Sequence, residues 1–232
     1  MKHLLKLELK KVKWGRHIFG IIMAILFIIL FLTISMVDSA TDPSQTKDTF
    51  QSTMVAESLL MTTIFLIYGA VLTATTIINE YNNRTILILF SYPLHRKKLI
   101  FVKLMIIVVF TMVAMVIGHA ICFSYILLMD KKFDWIEGAI NAKLLGYYLK
   151  MVISNIICCG ILTGVPFSLG MIKKSVPVTI VSSFGAMFLR QVLVSSGTLY
   201  RESPLQLVII GVAVFAMVYI TFNNKVEQVE NL

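Results

Sequence analysis

Few residues of this chain have a type and spacing that could bind a metal ion. His119 and Cys122 lie three residues apart on one predicted helix, and Cys158 and Cys159 are adjacent on another. A zinc site needs four converging ligands, or three ligands and an open position, and nothing in this spacing forces the two pairs to converge. We therefore interpret His119 as an ordinary polar contact of a helix and the three cysteines as small packing residues.

Nucleotide binding and hydrolysis also lack the residues that they need. Gly15 and Gly20 have the spacing of a phosphate-binding loop, but Ile21 and Ile22 stand where that loop has its lysine and its hydroxyl residue. The sequence contains neither the H-E-x-x-H pattern of zinc proteases nor the G-x-S-x-G pattern of serine hydrolases. We therefore predict no enzyme activity on this chain, with no catalytic residue, cofactor or metal.

Composition places these residues in a membrane. Of the 232 residues, 58% are hydrophobic and only 14% are charged, whereas an average soluble domain carries about 25% charged residues. The net charge of +9 is concentrated beside the apolar blocks, where basic residues fix topology and contact anionic lipid. This position favours membrane lipid as a partner and argues against nucleic acid.

Six apolar blocks are each close to the length of about 20 residues that a helix needs to cross a bilayer. Because lipid offers no partner for open backbone groups, each block must be helical. The sequence thus predicts an all-α membrane protein with one transmembrane domain over residues 1–232. Its predicted spans are 18–37, 58–78, 104–128, 151–172, 176–195 and 205–222.

Charge asymmetry between the connecting segments predicts the orientation. Basic residues dominate the first 17 residues and segment 79–103, whereas acidic residues, including Glu57, collect in the loops 38–57 and 130–143. The positive-inside rule therefore places both termini and segment 79–103 in the cytoplasm. Residues 1–17 fit an amphipathic helix on the inner leaflet, and a plain basic flank that only fixes topology fits them equally well.

Ionisable residues at membrane depth are candidate functional residues, and the sequence offers Arg190, Lys150 and His119. Lys150 lies near the end of a span, from which its side chain can extend to the interface. Arg190 is therefore the main candidate, either on a translocation path or at the membrane interface.

The fourth block contains a predicted packing and kink motif. Gly160 and Gly164 are four residues apart, a spacing that permits close contact with another helix, and Pro166 predicts a kink. The contact either stays within the subunit or forms a surface that moves.

Segment 79–103 is longer than a connection between neighbouring membrane helices requires. Glu80 and Arg84 are four residues apart, in the order that favours a helical ion pair. Pro93 ends that helix, because the residue before a proline avoids the helical region. A basic cluster and the next span follow. We interpret the segment as a short surface helix, a break and a basic cluster to which a cytoplasmic partner binds.

This segment resembles the coupling loop of type-2 ATP-binding-cassette (ABC) exporter permeases. Those permeases often carry the pattern E-[YF]-x-x-x-T-x-x-x-L-x-x-x-P-x-x-R. The chain matches it at Glu80, Tyr81, Thr85, Leu89, Pro93 and Arg96. Arg84 stands where the family usually has a glycine. The layout of the spans is also similar, and the small size resembles permeases of peptide-antibiotic and bacitracin-type immunity systems.

The resemblance implies a mechanism and its partners. Two permease subunits, identical or different, would pair in the bacterial plasma membrane, and a separate ATPase subunit would bind ATP and magnesium. The implied coupling residues are Glu80, Tyr81, Arg84, Thr85, Pro93, Arg96 and Lys97. Closure of the ATPase would rock the spans and export an amphipathic substrate such as a peptide, an antibiotic or a lipid-like molecule.

Two other functions fit the residues without the resemblance. A membrane scaffold or sensor would use the basic loop to dock a cytoplasmic partner. An ion-coupled secondary transporter is disfavoured, because the spans lack a deep series of carboxylates for proton or sodium coupling. The permease requires a partner with a phosphate-binding loop, and the other two functions do not.

Overall fold

The computed structural model describes residues 14–41, 48–82, 96–133, 135–138, 140–195 and 204–223. The helices are α1 (Trp14–Thr41), α2 (Phe50–Thr73), α3 (Asn79–Asn82), α4 (Arg96–Phe133), α5 (Ala142–Leu162), α6 (Gly164–Lys173), α7 (Val176–Ser195) and α8 (Pro204–Thr221). A π-helical segment, Ala74–Ile78, joins α2 to α3. The all-α prediction is confirmed for these ranges, in which the only β-pairing is one isolated bridge between Thr49 and Glu137.

Four helical stretches are long and apolar enough to cross a membrane, namely Gly15–Thr41, Phe50–Ile78, Lys98–Phe133 and Ala142–Lys173. They contain the first four predicted spans and extend beyond them. Helix α4 alone has 38 residues, or about 57 Å of helix, for a hydrocarbon core of about 30 Å. The longer helix places Lys98 and Lys103 on α4, whereas the sequence analysis assigned them to a loop.

The last two predicted spans, 176–195 and 205–222, correspond to helices α7 and α8. The count of six spans stays a prediction, as does the cytoplasmic location of both termini. Most of the predicted interfacial helix 1–17 lies outside the described residues, and α1 already includes residues 14–17. Residues 83–95 of the predicted loop also lie outside them.

The chain divides into two compact units. The first unit contains the described parts of Leu66–Met112 and Ile157–Leu232. Its buried core consists of Leu72, Ile77, Ile78, Ile100, Leu104, Ile107, Phe167 and Met171. The second unit contains the described parts of Trp14–Phe65 and Val113–Ile156.

A tight hairpin between α6 and α7 depends on a glycine. Lys174 turns the chain with a left-handed φ of 50°, and α7 begins two residues later. A Cβ atom at Gly170 would lie 2.2 Å from Thr179 Oγ1 and 3.1 Å from Ile78 Cδ1. Three elements of the first unit therefore approach this closely only because residue 170 has no side chain.

Replacing Gly170 by alanine is expected to destabilise the first unit. Overpacking a core costs about 1–3 kcal/mol, which exceeds the gain of about 0.5–1 kcal/mol from alanine in a helix. Gly185→Ala on α7 is the matched control, because nothing lies within 4 Å of a Cβ atom there. The thermal midpoint in detergent should fall for Gly170→Ala and stay unchanged or rise for Gly185→Ala. Equal midpoints would contradict the close packing.

Candidate functional site

An ion pair joins the two helices that flank residues 83–95. Glu80 lies on the short helix α3, and its carboxylate accepts a hydrogen bond from the ammonium group of Lys103 on α4. The Lys103 side chain is 5% exposed and the Glu80 side chain is 29% exposed. Loss of Glu80 would leave the buried ammonium group of Lys103 as an uncompensated charge. The pair therefore stabilises the contact between α3 and α4.

The predicted coupling residues divide between these helices and the segment between them. The structure places Glu80, Tyr81, Arg96 and Lys97 on α3 and α4. Arg84, Thr85 and Pro93 lie outside the described residues. The sequence predicts a pair between Glu80 and Arg84 and gives no signal for Lys103, because the four-residue rule concerns neighbours on a single helix.

The π segment sets the direction in which Glu80 points. A π turn holds about one residue more than an α turn, and each residue rotates a helix by about 100°. Thr73 and Thr75 donate their hydroxyls to the carbonyls of Gly69 and Val71, each at 2.8 Å. Such bonds to the preceding turn often bend helices. The orientation of the ion pair thus depends on the residues in and before the π segment.

The glycines of the predicted packing motif face two different neighbours. A Cβ atom at Gly160 would lie 3.0 Å from Met112 Sδ on α4, and one at Gly164 would lie 2.7 Å from Val214 Cγ1 on α8. Both neighbours belong to the first unit of the same chain. Pro166 lacks the N–H group that would bond to the last residue of α5, and Gly164 begins the next helix, α6.

Arg190, the predicted translocation-path or interfacial residue, lies on α7 in the first unit. Only 6% of its surface is exposed, so protein groups enclose the side chain. Cys159 on α5 lies within electrostatic range of the guanidinium group. Lys150, in contrast, is exposed on α5.

A second polar cluster lies in the second unit and was not predicted. The Glu57 carboxylate is 0% exposed. Its Oε1 atom is 2.9 Å from Nδ1 of His119, and the Tyr148 hydroxyl donates a hydrogen bond of 3.2 Å to its Oε2 atom. The three residues come from α2, α4 and α5, so the cluster connects three of the helical stretches that are long enough to cross a membrane. We call it the Glu57–His119–Tyr148 cluster.

The local sequence explains why these residues meet. One face of α2 is buried at Phe50, Met54, Glu57, Met61 and Phe65. Their spacing of three or four residues is that of a single helical face, so Glu57 must point inward. A Cβ atom at Gly118, which precedes His119, would lie 3.0 Å from Met61 Cε. A glycine at this position therefore lets α4 approach α2 closely enough for the hydrogen bond.

The assignment of Glu57 to an outer loop was wrong. The apolar run that predicts the second span starts at residue 58, whereas α2 begins at Phe50. The helical spacing of large apolar residues, which continues from Phe65 back to Phe50, is the signal that could have placed Glu57 in the span. The interpretation of His119 as a polar helix contact agrees with its position and omits its carboxylate partner.

Comparisons with known proteins cover both sites. A family model described as "ABC-2 family transporter protein" matches residues 4–189. The uncharacterized protein YcbO of Bacillus subtilis (strain 168) is 31% identical over 185 residues, which are 78% of this chain and 79% of that protein. No solved structure matches the chain significantly.

Proposed function

This chain belongs to the ABC-2 family of transporter proteins, and from that membership we propose that it is the permease subunit of an ATP-driven exporter. It is a multi-pass protein of the bacterial plasma membrane. Export would require a separate ATPase subunit that binds ATP and magnesium, and a second permease subunit, identical or different. The proposed substrate is amphipathic, as a peptide, an antibiotic or a lipid-like molecule is.

The ion pair between Glu80 and Lys103 is the observation that carries this proposal. It connects α3 and α4 on both sides of residues 83–95, the segment that resembles a coupling loop. An ATPase that displaces this segment would therefore move α3 and α4 as one body. Helix α3 continues through the π segment into α2, so the displacement would reach two spans together.

The core beside the ion pair supports the same mechanism. Ile77 and Ile78 of the π segment pack with Ile100 and Leu104 of α4. Protein interiors are close-packed, have low compressibility and transmit strain. A displacement of α3 would therefore pass to α4 through this core as well as through the ion pair.

Purification of the chain with the phosphate-loop ATPase that accompanies it in its own cells tests the proposal. We expect ATP hydrolysis by the complex to rise when amphipathic peptides or antibiotics are added. Arg84→Glu should weaken association with the ATPase, because charge complementarity supports such contacts, and should leave membrane insertion unchanged. Lys132→Glu, an exposed charge reversal in the second unit, is the control. Failure of any phosphate-loop ATPase to co-purify with the wild-type chain would contradict the proposal.

A further inference from the structure

The Glu57–His119–Tyr148 cluster contains a buried hydrogen-bonding atom that has no partner within the described part of the chain. The His119 side chain is 3% exposed, and its Nδ1 atom bonds to Glu57. Its Nε2 atom is shielded from solvent and receives no hydrogen bond from any described residue. Buried polar atoms are nearly always paired, so an open position on this ring indicates a group that is bound there at another stage.

The carboxylate determines what that position can bind. When the Glu57 carboxylate is ionised it only accepts hydrogen bonds, and the proton of its bond with His119 then lies on Nδ1. In a neutral ring Nε2 is then an acceptor. The cluster therefore offers one open acceptor beside one buried negative charge. The matching ligand carries a positive charge and an N–H or O–H donor.

An ionised Glu57 carboxylate needs a positive charge beside it. An ionised carboxylate buried in a membrane span is costly unless it is paired. The Tyr148 hydroxyl of α5 donates a hydrogen bond to Glu57, and the Cys122 thiol of α4 lies within electrostatic range of it. Among the described residues no lysine or arginine forms an ion pair with Glu57. A proton on Nε2 of His119 would supply that charge, and so would a bound cation.

We propose that the cluster binds a primary ammonium group, which displaces one proton from His119 to the aqueous phase. The ammonium donates a hydrogen bond to His119 Nε2, and its charge balances the Glu57 carboxylate. A metal ion fits less well, because no three potential ligands of the His, Cys, Asp or Glu type converge within the described ranges. A guanidinium group carries five donors, whereas one acceptor is open.

The surroundings of the cluster set the class of ligand. Met61 and Phe65 lie on the same buried face of α2 as Glu57. The Phe123 ring stacks on the Tyr148 ring, with ring centroids 5.1 Å apart. An apolar chain attached to the ammonium group would contact these side chains. The ligand is therefore an amphipathic primary amine. The identification of this amine as an exported substrate rests on the proposed function.

Occupancy requires a local opening of the second unit. The Nε2 atom has no access to solvent in this arrangement, so α2, α4 and α5 must separate by the width of the group before it binds. The ligand would thus stabilise a less closed arrangement of these helices that exists without it.

Binding to the purified chain, in the absence of any ATPase, tests the proposal. The chain is placed in nanodiscs of phosphatidylcholine and phosphatidylglycerol, which contain no primary amine, and binding to empty nanodiscs is subtracted. Dodecylamine should bind at least about tenfold more tightly than dodecyltrimethylammonium, because the latter has the charge and no N–H donor. Because binding releases a proton from the cluster, the affinity for dodecylamine should rise with pH, and the released proton should be detectable in a weakly buffered medium.

Variants of the cluster provide the second arm of the experiment. Glu57→Gln and His119→Gln should each lose at least about tenfold in dodecylamine affinity and lose the pH dependence. Ser58→Ala, a buried change on the same helix, should retain both. Added phosphatidylethanolamine identifies the source of the ammonium: displacement of dodecylamine would assign the site to a lipid headgroup, and no displacement would assign it to an exported amine.

The wild-type chain alone can overturn the proposal, even where a variant fails to fold. Equal binding of the two probes, or binding without proton release, would contradict an ammonium site. Because this assay contains no ATPase, its outcome is independent of whether the chain powers export with one. Conversely, tight and proton-linked binding by a chain that associates with no ATPase would retain the site and refute the exporter.

Discussion

Glu80→Lys is expected to abolish the stimulation of the partner ATPase by substrate. The variant places a second ammonium group against Lys103, whose side chain is 5% exposed. Two unit charges 4 Å apart interact by about 4 kcal/mol at an effective dielectric constant of about 20, and here the interaction turns from attraction to repulsion. Helices α3 and α4 would separate at the base of residues 83–95, and a displacement of that segment would no longer reach both spans.

A charge-swapped double variant distinguishes loss of the ion pair from general destabilisation of the protein. The double variant Glu80→Lys with Lys103→Glu restores an ion pair of reversed polarity and should recover most of the stimulation. Lys173→Glu, an exposed charge reversal in the same unit, should behave as wild type. ATP hydrolysis is measured with and without substrate for the wild type and for these three variants. A double variant as inactive as Glu80→Lys would contradict a role for the pair itself.

His119→Leu is expected to cost about 3–5 kcal/mol of the free energy of unfolding, because it leaves Glu57 as an uncompensated buried charge. The carboxylate is 0% exposed, and within the described ranges it would retain only the hydrogen bond from the Tyr148 hydroxyl. Equilibrium unfolding in mixed detergent micelles measures the change. The effect should exceed that of an ordinary core substitution, since most of those cost about 0.5–3 kcal/mol.

A second substitution tests whether charge is the cause. Replacing both partners, as Glu57→Leu with His119→Leu, removes the uncompensated charge and should recover most of the lost stability. Ser124→Leu, at an exposed position of the same helix, should have little effect. If the double variant is at least as unstable as His119→Leu, lost packing rather than charge explains the destabilisation.

Elements set by composition and periodicity were predictable from the sequence. Apolar blocks of about 20 residues identify the spans, because backbone groups in lipid must form their hydrogen bonds within a helix. Four of these blocks lie in helices long enough to cross a membrane. The ends of helices were less predictable. The predicted loops between the first four spans contain the polar ends of α2 and α4, because protein contacts stabilise helical turns that hydropathy alone assigns to water.

Contacts between distant residues were the least predictable part of both sites. Glu80 and Lys103 are separated by a segment whose length does not fix their approach, and the rotation of Glu80 depends on a π turn for which the sequence has no strong signal. Glu57 shows the consequence of one misplaced helix start. An ion-coupled transporter was disfavoured because the sequence offers no deep series of carboxylates, and Glu57 is a single buried carboxylate. Membership of the ABC-2 family is a further ground against that function.

We expect a separate ATPase to bind this chain at residues 83–95 and to act on it there. Photo-crosslinking from a single p-benzoylphenylalanine in membranes tests it most directly, with the residue at position 91 in one protein and at position 135, in the predicted outer loop, in another. We expect an adduct with the ATPase from position 91 and none from position 135. No ATPase adduct from position 91, or an adduct from position 135 alone, would contradict it.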